Sequence, residues 1–400
     1  MVNVKQLITF VILMATCPFA YGQVVPFTEQ QIVDSAVKNS PMSSAAQFQV
    51  LQQQQLRKTA FNLSNPELVA ESPTGDFYTV GVLQSLDFPT VYLKQNQVYR
   101  QQEQVAVAGQ QVTQNDVKYQ AKLLYLKLQF LTAEIETLKV QDSLYAAIKD
   151  ATNRQFVAGQ IDFLQKTYAE AQYGEVHNKL IQVQSDFAVA QQQLQIITGI
   201  RQPIIPAPFQ RTTTNPGIAV LKNDTNLFAM NPLVSYYRQQ QLLSRRMISL
   251  ERNRMLPGLV IGYLNQGPVS TPVNMRFRAG ITIPLWFWQY NGAVHAARFR
   301  FMESEQLYRA NQQKLSGQQL EAQGNYFKYK QSVDYYQSTG LNLSESLLQS
   351  SIRFYTSGQY DLVTHLRNMN DAYSIQLNYL EALNNFNQSV IYINYINGTL

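Results

Sequence analysis

The chain has 400 residues, only 14% of them charged, and a formal net charge of +6. That length allows one large domain or two or three small ones. The Lys and Arg residues are scattered, with no basic stripe interleaved with aromatics, which argues against a nucleic-acid partner.

Residues 1–22 carry Lys5, an apolar core from Leu7 to Ala15, a break at Pro18 and the small residues Ala20 and Gly22. This is the order of a secretory signal, with cleavage expected between Gly22 and Gln23. A lipid anchor on Cys17 or a retained membrane anchor are the alternatives, and Ala15-Thr16 before Cys17 with Pro18 behind it suits lipidation poorly. Cys17 is the only cysteine, so a processed chain has neither disulfide nor thiol chemistry. Beyond residue 22 there is no run of about 18 apolar residues, which excludes an ordinary helical span. A soluble periplasmic protein and a β-barrel both remain.

The spacing then predicts a structural repeat over 23–201, a linker over 202–226 and a second repeat over 227–400. Asn39-Ser40-Pro41 leads into a helix from Ala45 to Arg57. Leu68 to Ser72 and Phe77 to Gln84 read as strands about a turn at Pro73-Thr74-Gly75-Asp76. From Val91 to Ala151 the chain reads as one helix, on the order of 90 Å long at 1.5 Å per residue. Val117, Ala121, Leu124, Leu128, Leu131, Ile135 and Leu138 form its heptad seam. A Gly-containing turn, Phe156 to Asp162, precedes a helix running back, with Val176, Leu180, Val183, Phe187, Ala190, Leu194 and Ile197 as its seam. Pro203, Pro206, Pro208, Pro216 and a Thr run mark the linker.

The second half repeats the plan. Asn231-Pro232 opens a helix from Leu233 to Glu251. Strands are predicted at Leu259 to Leu264 and at Met275 to Ile283, around the loop Asn265 to Asn274. In the last strand Met275, Phe277, Ala279, Ile281 and Ile283 share one side, and Arg276, Arg278, Gly280 and Thr282 the other. A leading helix has its seam at Ala322, Tyr326, Tyr329, Val333, Tyr336, Gly340, Leu343 and Leu347. The turn Tyr355 to Asp361 aligns without gaps on Phe156 to Asp162, and the likeness continues to Gly199 and Gly398. In the returning helix Ile375, Tyr379, Ala382, Phe386, Ser389, Ile393 and Ile396 keep the steps of the first copy.

Four strands are too few to close a barrel, and free edges in lipid are prohibitively costly. Three chains would supply twelve strands, with the apolar faces toward lipid and Arg276, Arg278 and Thr282 toward a watery lumen. A hairpin packed on helices satisfies the same pattern. Trp286, Trp288 and Tyr290, with Phe287, suit the headgroup level as interface anchors, or they pack where strand turns into helix.

With these residues in hand, the chain resembles the TolC-like outer membrane efflux protein family, in the branch that includes the CzcC-like and CusC-like factors. The motifs that carry the likeness are Asn39-x-Pro41, Asn231-Pro232, a strand pair and a long helix in each half, and the two Gly-containing turns. The resemblance implies an α+β membrane protein. Duplicated long helical hairpins would form a trimeric periplasmic α-barrel under a 12-stranded transmembrane β-barrel. It implies a passive exit duct in the outer membrane of a Gram-negative bacterium. A periplasmic adaptor would join it to an inner membrane pump of the resistance-nodulation-division type. Val157, Ala158, Gly159, Gln160, Ser357, Gly358 and Gln359 are then the adaptor-contacting tips; as an alternative they only link helices. Family members carry two acidic residues after the second turn that ring the closed mouth. The matching positions here are Thr364 and Arg367, flanking His365, so an acidic ring is not supported and Asp361, Thr364, Arg367 and Asp371 are the aperture candidates.

No nucleophile or carboxylate pair suggests an enzyme, and no cofactor is expected. His177, His295 and His365 form no ligand pair, which speaks against a metal site. Two rivals remain: a periplasmic adaptor, which would have one hairpin between β-rich domains, and a secreted coiled-coil protein without a pore.

Overall fold

The computed structural model describes residues 26–72, 79–212, 228, 230–265 and 272–400. The signal expected over 1–22, the turn at 73–76, most of the loop after Asn265 and the end of the linker lie outside these residues.

Each half has near its head a helix start built on Ser or Asn followed by Pro. α1 (Glu29–Asn39) opens with a capping box in which Thr28 and Gln31 bond each other's backbone. α2 (Pro41–Lys58) is capped by Ser40, with Pro41 where a missing N–H costs nothing. α5 (Pro232–Asn253) repeats this with Asn231, whose side chain accepts from the N–H groups of Leu233 and Val234. Asn39, the last residue of α1, and Asn231 also reach across the fold. Asn39 donates to the carbonyl of Thr198 at 2.6 Å and Asn231 to that of Ile396 at 2.5 Å. The head of each half is thereby tied to the end of its returning helix.

The strands are β1 (Glu67–Glu71), β2 (Thr79–Leu86), β3 (Gly258–Leu264) and β4 (Phe277–Thr282). They form one antiparallel sheet in the order β1-β2-β3-β4, so β2 and β3 join the two halves. Gly81 and Gly262 permit this joint, since a Cβ on Gly81 would lie 2.5 Å from the Tyr263 carbonyl and one on Gly262 2.6 Å from that of Val82. β4 is shorter than the alternation predicted. After Pro272 the backbone enters a 3-10 turn, Val273–Arg276, so Arg276 is outside the strand.

α3 (Pro89–Val157) is a single helix of 69 residues, about 100 Å long and longer at both ends than the spacing predicted. α4 (Phe163–Thr198) runs back along it. Their predicted seams pack as one core: Leu128, Leu131 and Leu138 of α3 meet Leu180, Val183, Ala190 and Leu194 of α4. In the second half α6 (Phe287–Tyr335) passes through a π turn, Tyr336–Gly340, into α7 (Leu341–Thr356). α8 (Leu362–Asn397) returns, burying Ala382, Phe386, Val390 and Ile393 against Ala322, Tyr326 and Val333 of α6. Beyond the π turn the predicted seam fails: Leu343 is exposed, and Ser344 and Ser351 are buried instead. The extra residue of the π turn rotates everything after it.

The proline-rich stretch after α4 does not hang free. Phe27 and Pro206 form a parallel bridge, Ile204 is fully buried, and the Tyr125 hydroxyl accepts from the Ala207 N–H at 2.9 Å.

Candidate functional site

The sheet has two chemically distinct faces. Residues paired across antiparallel strands lie on the same side, and the register puts Leu68, Ala70, Val80, Val82, Leu86, Leu259, Ile261, Tyr263, Phe277, Ala279 and Ile281 together, with Gln84 as the one polar side chain among them. The other side holds Glu67, Glu71, Thr79, Gly81, Ser85, Gly262, Arg278, Gly280 and Thr282, with Val69, Leu83, Val260 and Leu264. Among the described residues no helix has more than marginal contact with the sheet, and Leu68, Val82, Ile261, Phe277 and Ile281 are exposed. The arrangement with this hairpin pair packed on helices is therefore not what the chain adopts. Arg278 and Thr282 lie on the polar side as expected, whereas Arg276 leaves it and donates to the Asn265 side chain.

Where the sheet meets the helices, Trp286 and Trp288 are exposed with ring centroids 5.2 Å apart. Tyr290 departs from them. It is half-buried and lines a cavity of about 320 Å³ with Asp87, Tyr92 and Arg254.

The opposite end consists of two hairpin tips with one backbone geometry. At the first, Gln160 N–H bonds to the Gln155 carbonyl and Gly159 N–H to that of Phe156, both at 2.9 Å. At the second, Gln359 bonds to Phe354 at 2.9 Å and Gly358 to Tyr355 at 3.1 Å. These are Schellman caps, which need a left-handed residue. Gly159 has φ 71° and Gly358 φ 74°. Val157, Ala158, Gln160, Ser357 and Gln359 are exposed around them. Asp162 and Asp361 then cap the returning helices, accepting from Gln165 and Thr364 N–H at 2.7 Å.

The aperture candidates on α8 divide by exposure. Asp361 is engaged as the cap, and the Thr364 backbone bond holds its carboxyl below the usual range. Thr364 is half-buried, and Arg367 and Asp371 are exposed one turn apart. His365 points inward: the Ser351 hydroxyl is 2.8 Å from its Nδ1, the Tyr355 ring stacks on it at 4.6 Å, and burial lowers its pKa. His177 pairs with Asp142 at 3.0 Å, and His295 is exposed. Among the described residues no three His, Cys, Asp or Glu side chains are grouped to hold a metal. No described helix is long and apolar enough to cross a membrane.

A groove of about 720 Å³ lies between α3, α4 and α8, lined by Leu124, Phe130, Glu134, Lys179, Leu377 and Glu381. Burial pushes the Glu134 carboxyl up despite Lys179 at 3.7 Å.

Sequence reasoning passed over Phe163 and Leu164, which are 67% and 71% exposed at the first tip. The duplication was the available signal. Leu362, 199 positions after Phe163, is buried against the first hairpin, so the same position has a partner in one half only.

No protein-family profile matches the sequence, and no curated protein matches it. Solved structures do. The Campylobacter jejuni CmeC outer membrane channel aligns over 93% of this chain and 85% of its own, with TM-score 0.77 and 13% identity. The open state of the Neisseria gonorrhoeae MtrE outer membrane channel covers 92% and 88%, with TM-score 0.77 and 14% identity. The Vibrio cholerae outer membrane protein VceC covers 92% and 94%, with TM-score 0.71 and 14% identity. The chain thus has the fold of these outer membrane channel proteins.

Proposed function

We propose that three copies of this chain form an outer membrane duct, with the sheet in lipid and the hairpins hanging into the periplasm. The observation that carries this is the bare, largely apolar face across all four strands, flanked by edges at β1 and β4 that no other described strand pairs. Such a sheet is an aggregation hazard in water. Closed with two more copies into a twelve-stranded ring, it satisfies every edge and gives lipid its apolar side.

The helices support the same closure. In α8 the positions Leu362, Leu366, Met369 and Tyr373 are buried, packed against Tyr145 and Ala169 of the first hairpin. Their counterparts in α4, Phe163, Thr167, Glu170 and Gly174, are exposed, as are Ile181, Val189 and Ile196 along the same helix. α6 and α7 bare Leu320, Phe327, Tyr335 and Leu343 at the chain's other edge. In a ring α4 meets α6–α7 of the next copy, as α8 meets α3 within one. An adaptor hairpin would have to be met at the tips, around Val157, Ala158, Gly159, Gln160, Ser357, Gly358 and Gln359. An inner membrane pump, of the resistance-nodulation-division type by resemblance, would supply cargo and direction. Residues 1–22 act in this reading as the export signal.

Planar bilayer recording of the purified protein tests the duct. Stepwise conductance is expected; a protein that stays monomeric in water without detergent and adds no conductance would refute it.

A further inference from the structure

Every charged residue within the four strands lies on an outer strand, and the two outer strands differ in sign. β1 carries Glu67 and Glu71 and β4 carries Arg278, whereas β2 and β3 have no charged residue. The register sets all three on the polar side of the sheet, and all three are exposed. The sheet therefore ends in two carboxylates on one edge and a guanidinium on the other. Charged edges protect a lone sheet against pairing with another, but that purpose is indifferent to sign. Opposite signs suit a head-to-tail contact, in which β4 of one copy lies beside β1 of the next.

Strand overlap, sidedness and tilt together set the register of that contact. Glu67, Leu83, Gly262 and Arg278 form one row across the sheet, so a ring without stagger would return from Arg278 to Glu67 of the next copy. Closed barrels require a stagger, and the flat return would also leave Val69, Ala70 and Glu71 beyond the start of β4. The shift must be even, since an odd one turns Leu68 and Ala70 into the lumen. A shift of four residues toward Glu71 sets the whole of β1 beside β4: Glu67 against Thr282, Leu68 against Ile281, Val69 against Gly280, Ala70 against Ala279 and Glu71 against Arg278. A shift of six runs Glu67 and Leu68 past Thr282, and a shift the other way pairs no residue of β1 with β4. Over four strands about 4.8 Å apart, four residues at about 3.3 Å each correspond to a tilt of about 35°, which membrane barrels adopt, whereas two residues give only about 20°.

We infer that Arg278 of each copy pairs with Glu71 of the next on the lumen side of the seam, and that this ion pair fixes the register in which the copies close. This rests on the duct reading and adds to it the residues that join one copy to the next. An exposed ion pair contributes little stability singly, but a wrong sign at this place recurs at every seam of the ring.

The test uses the full-length protein assembled in the outer membrane. Glu71 and Arg278 of one copy are three strand spacings, about 14 Å, apart, too far for a disulfide within the chain. E71C/R278C is therefore expected to run as a covalent trimer on non-reducing denaturing gels, and either single cysteine variant as a monomer. E67C/R278C, the pair of the unstaggered ring, should not cross-link. Cross-linking of E67C/R278C in place of E71C/R278C, or of neither, overturns the register. R278E, E71R and the double variant R278E/E71R test the charge. Each single reversal sets like charges opposite one another at three seams and should lower the dissociation temperature of the detergent-extracted trimer by several degrees. The double variant should recover most of that loss, and its recovery remains the readout if a single reversal does not assemble. R278E as stable as the wild type, or a double variant no better than the single reversals, overturns the ion pair. A wild type that yields no trimer on extraction overturns the duct reading itself, a separate outcome.

Discussion

Alanine at each of the four left-handed glycines separates backbone strain from crowding. Gly159, Gly199, Gly358 and Gly398 have φ of 71°, 70°, 74° and 70°, and each closes a helix. A side chain in that conformation costs roughly 1–2 kcal/mol wherever it occurs. The surroundings differ. At Gly159 and Gly358 an added Cβ meets nothing within 4 Å, so strain is the whole cost. At Gly199 the Cβ would lie 3.1 Å from the Asn39 amide, which is itself bonded to Thr198. At Gly398 it would lie 2.5 Å from the Met230 carbonyl and 2.9 Å from Pro232, and backbone must move. Overpacking of that kind adds typically 1–3 kcal/mol. G398A should therefore be the most destabilised, G199A intermediate, and G159A and G358A the least and nearly equal. Denaturant titration of the detergent-solubilised protein, followed by far-UV circular dichroism, gives the order. G358A as unstable as G398A would refute the reasoning, because it would mean the tips are packed against something.

Further outcomes follow from the same structure. D162A and D361A should each weaken helix capping, seen as faster amide exchange over the first turns of α4 and α8 with little change in the hairpin cores. Burial lowers the His365 pKa in the folded protein, so acidification below about 6.5 charges the unfolded chain first and stability falls toward the folded pKa; H365Q should flatten this fall in the thermal midpoint. Burial raises the Glu134 pKa, so the folded protein loses stability as pH rises from the usual carboxylate range through that raised value. E134Q should then raise the midpoint at pH 7, and a lowered midpoint would show that the Lys179 contact outweighs the burial.

Much of this architecture could be read from residue spacing because the duplication repeats structural necessities. The identities kept across 199 positions include Gly159 with Gly358, Asp162 with Asp361, and Gly199 with Gly398. These are the residues that supply positive φ or a helix cap, roles for which few side chains qualify. The seams of α3 and α4 were legible for the same reason, since an unbroken helix keeps its period. The π turn was not: the heptad steps run on through Tyr336, Gly340, Leu343 and Leu347, and only the backbone reveals the added residue. Arg276 misled because alternation in sequence continues past the point where the chain leaves the sheet. Tyr290 reads like its tryptophan neighbours but turns into the cavity beside Arg254. The bonds that Arg211 donates to Asp334 at 2.7 Å and Gln337 at 3.1 Å were invisible because these partners lie more than 120 positions away.

The central claim is that the strand residues alternate between lipid and water in a closed sheet. Single cysteines at Leu68, Val82, Ile261 and Ile281, and at Val69, Leu83, Val260 and Gly280, can be probed in liposomes with a lipid-soluble and a membrane-impermeant thiol reagent. The account predicts that the first four react only with the lipid-soluble reagent and the second four with the aqueous one. Uniform labelling by the aqueous reagent, or the reverse alternation, would contradict it.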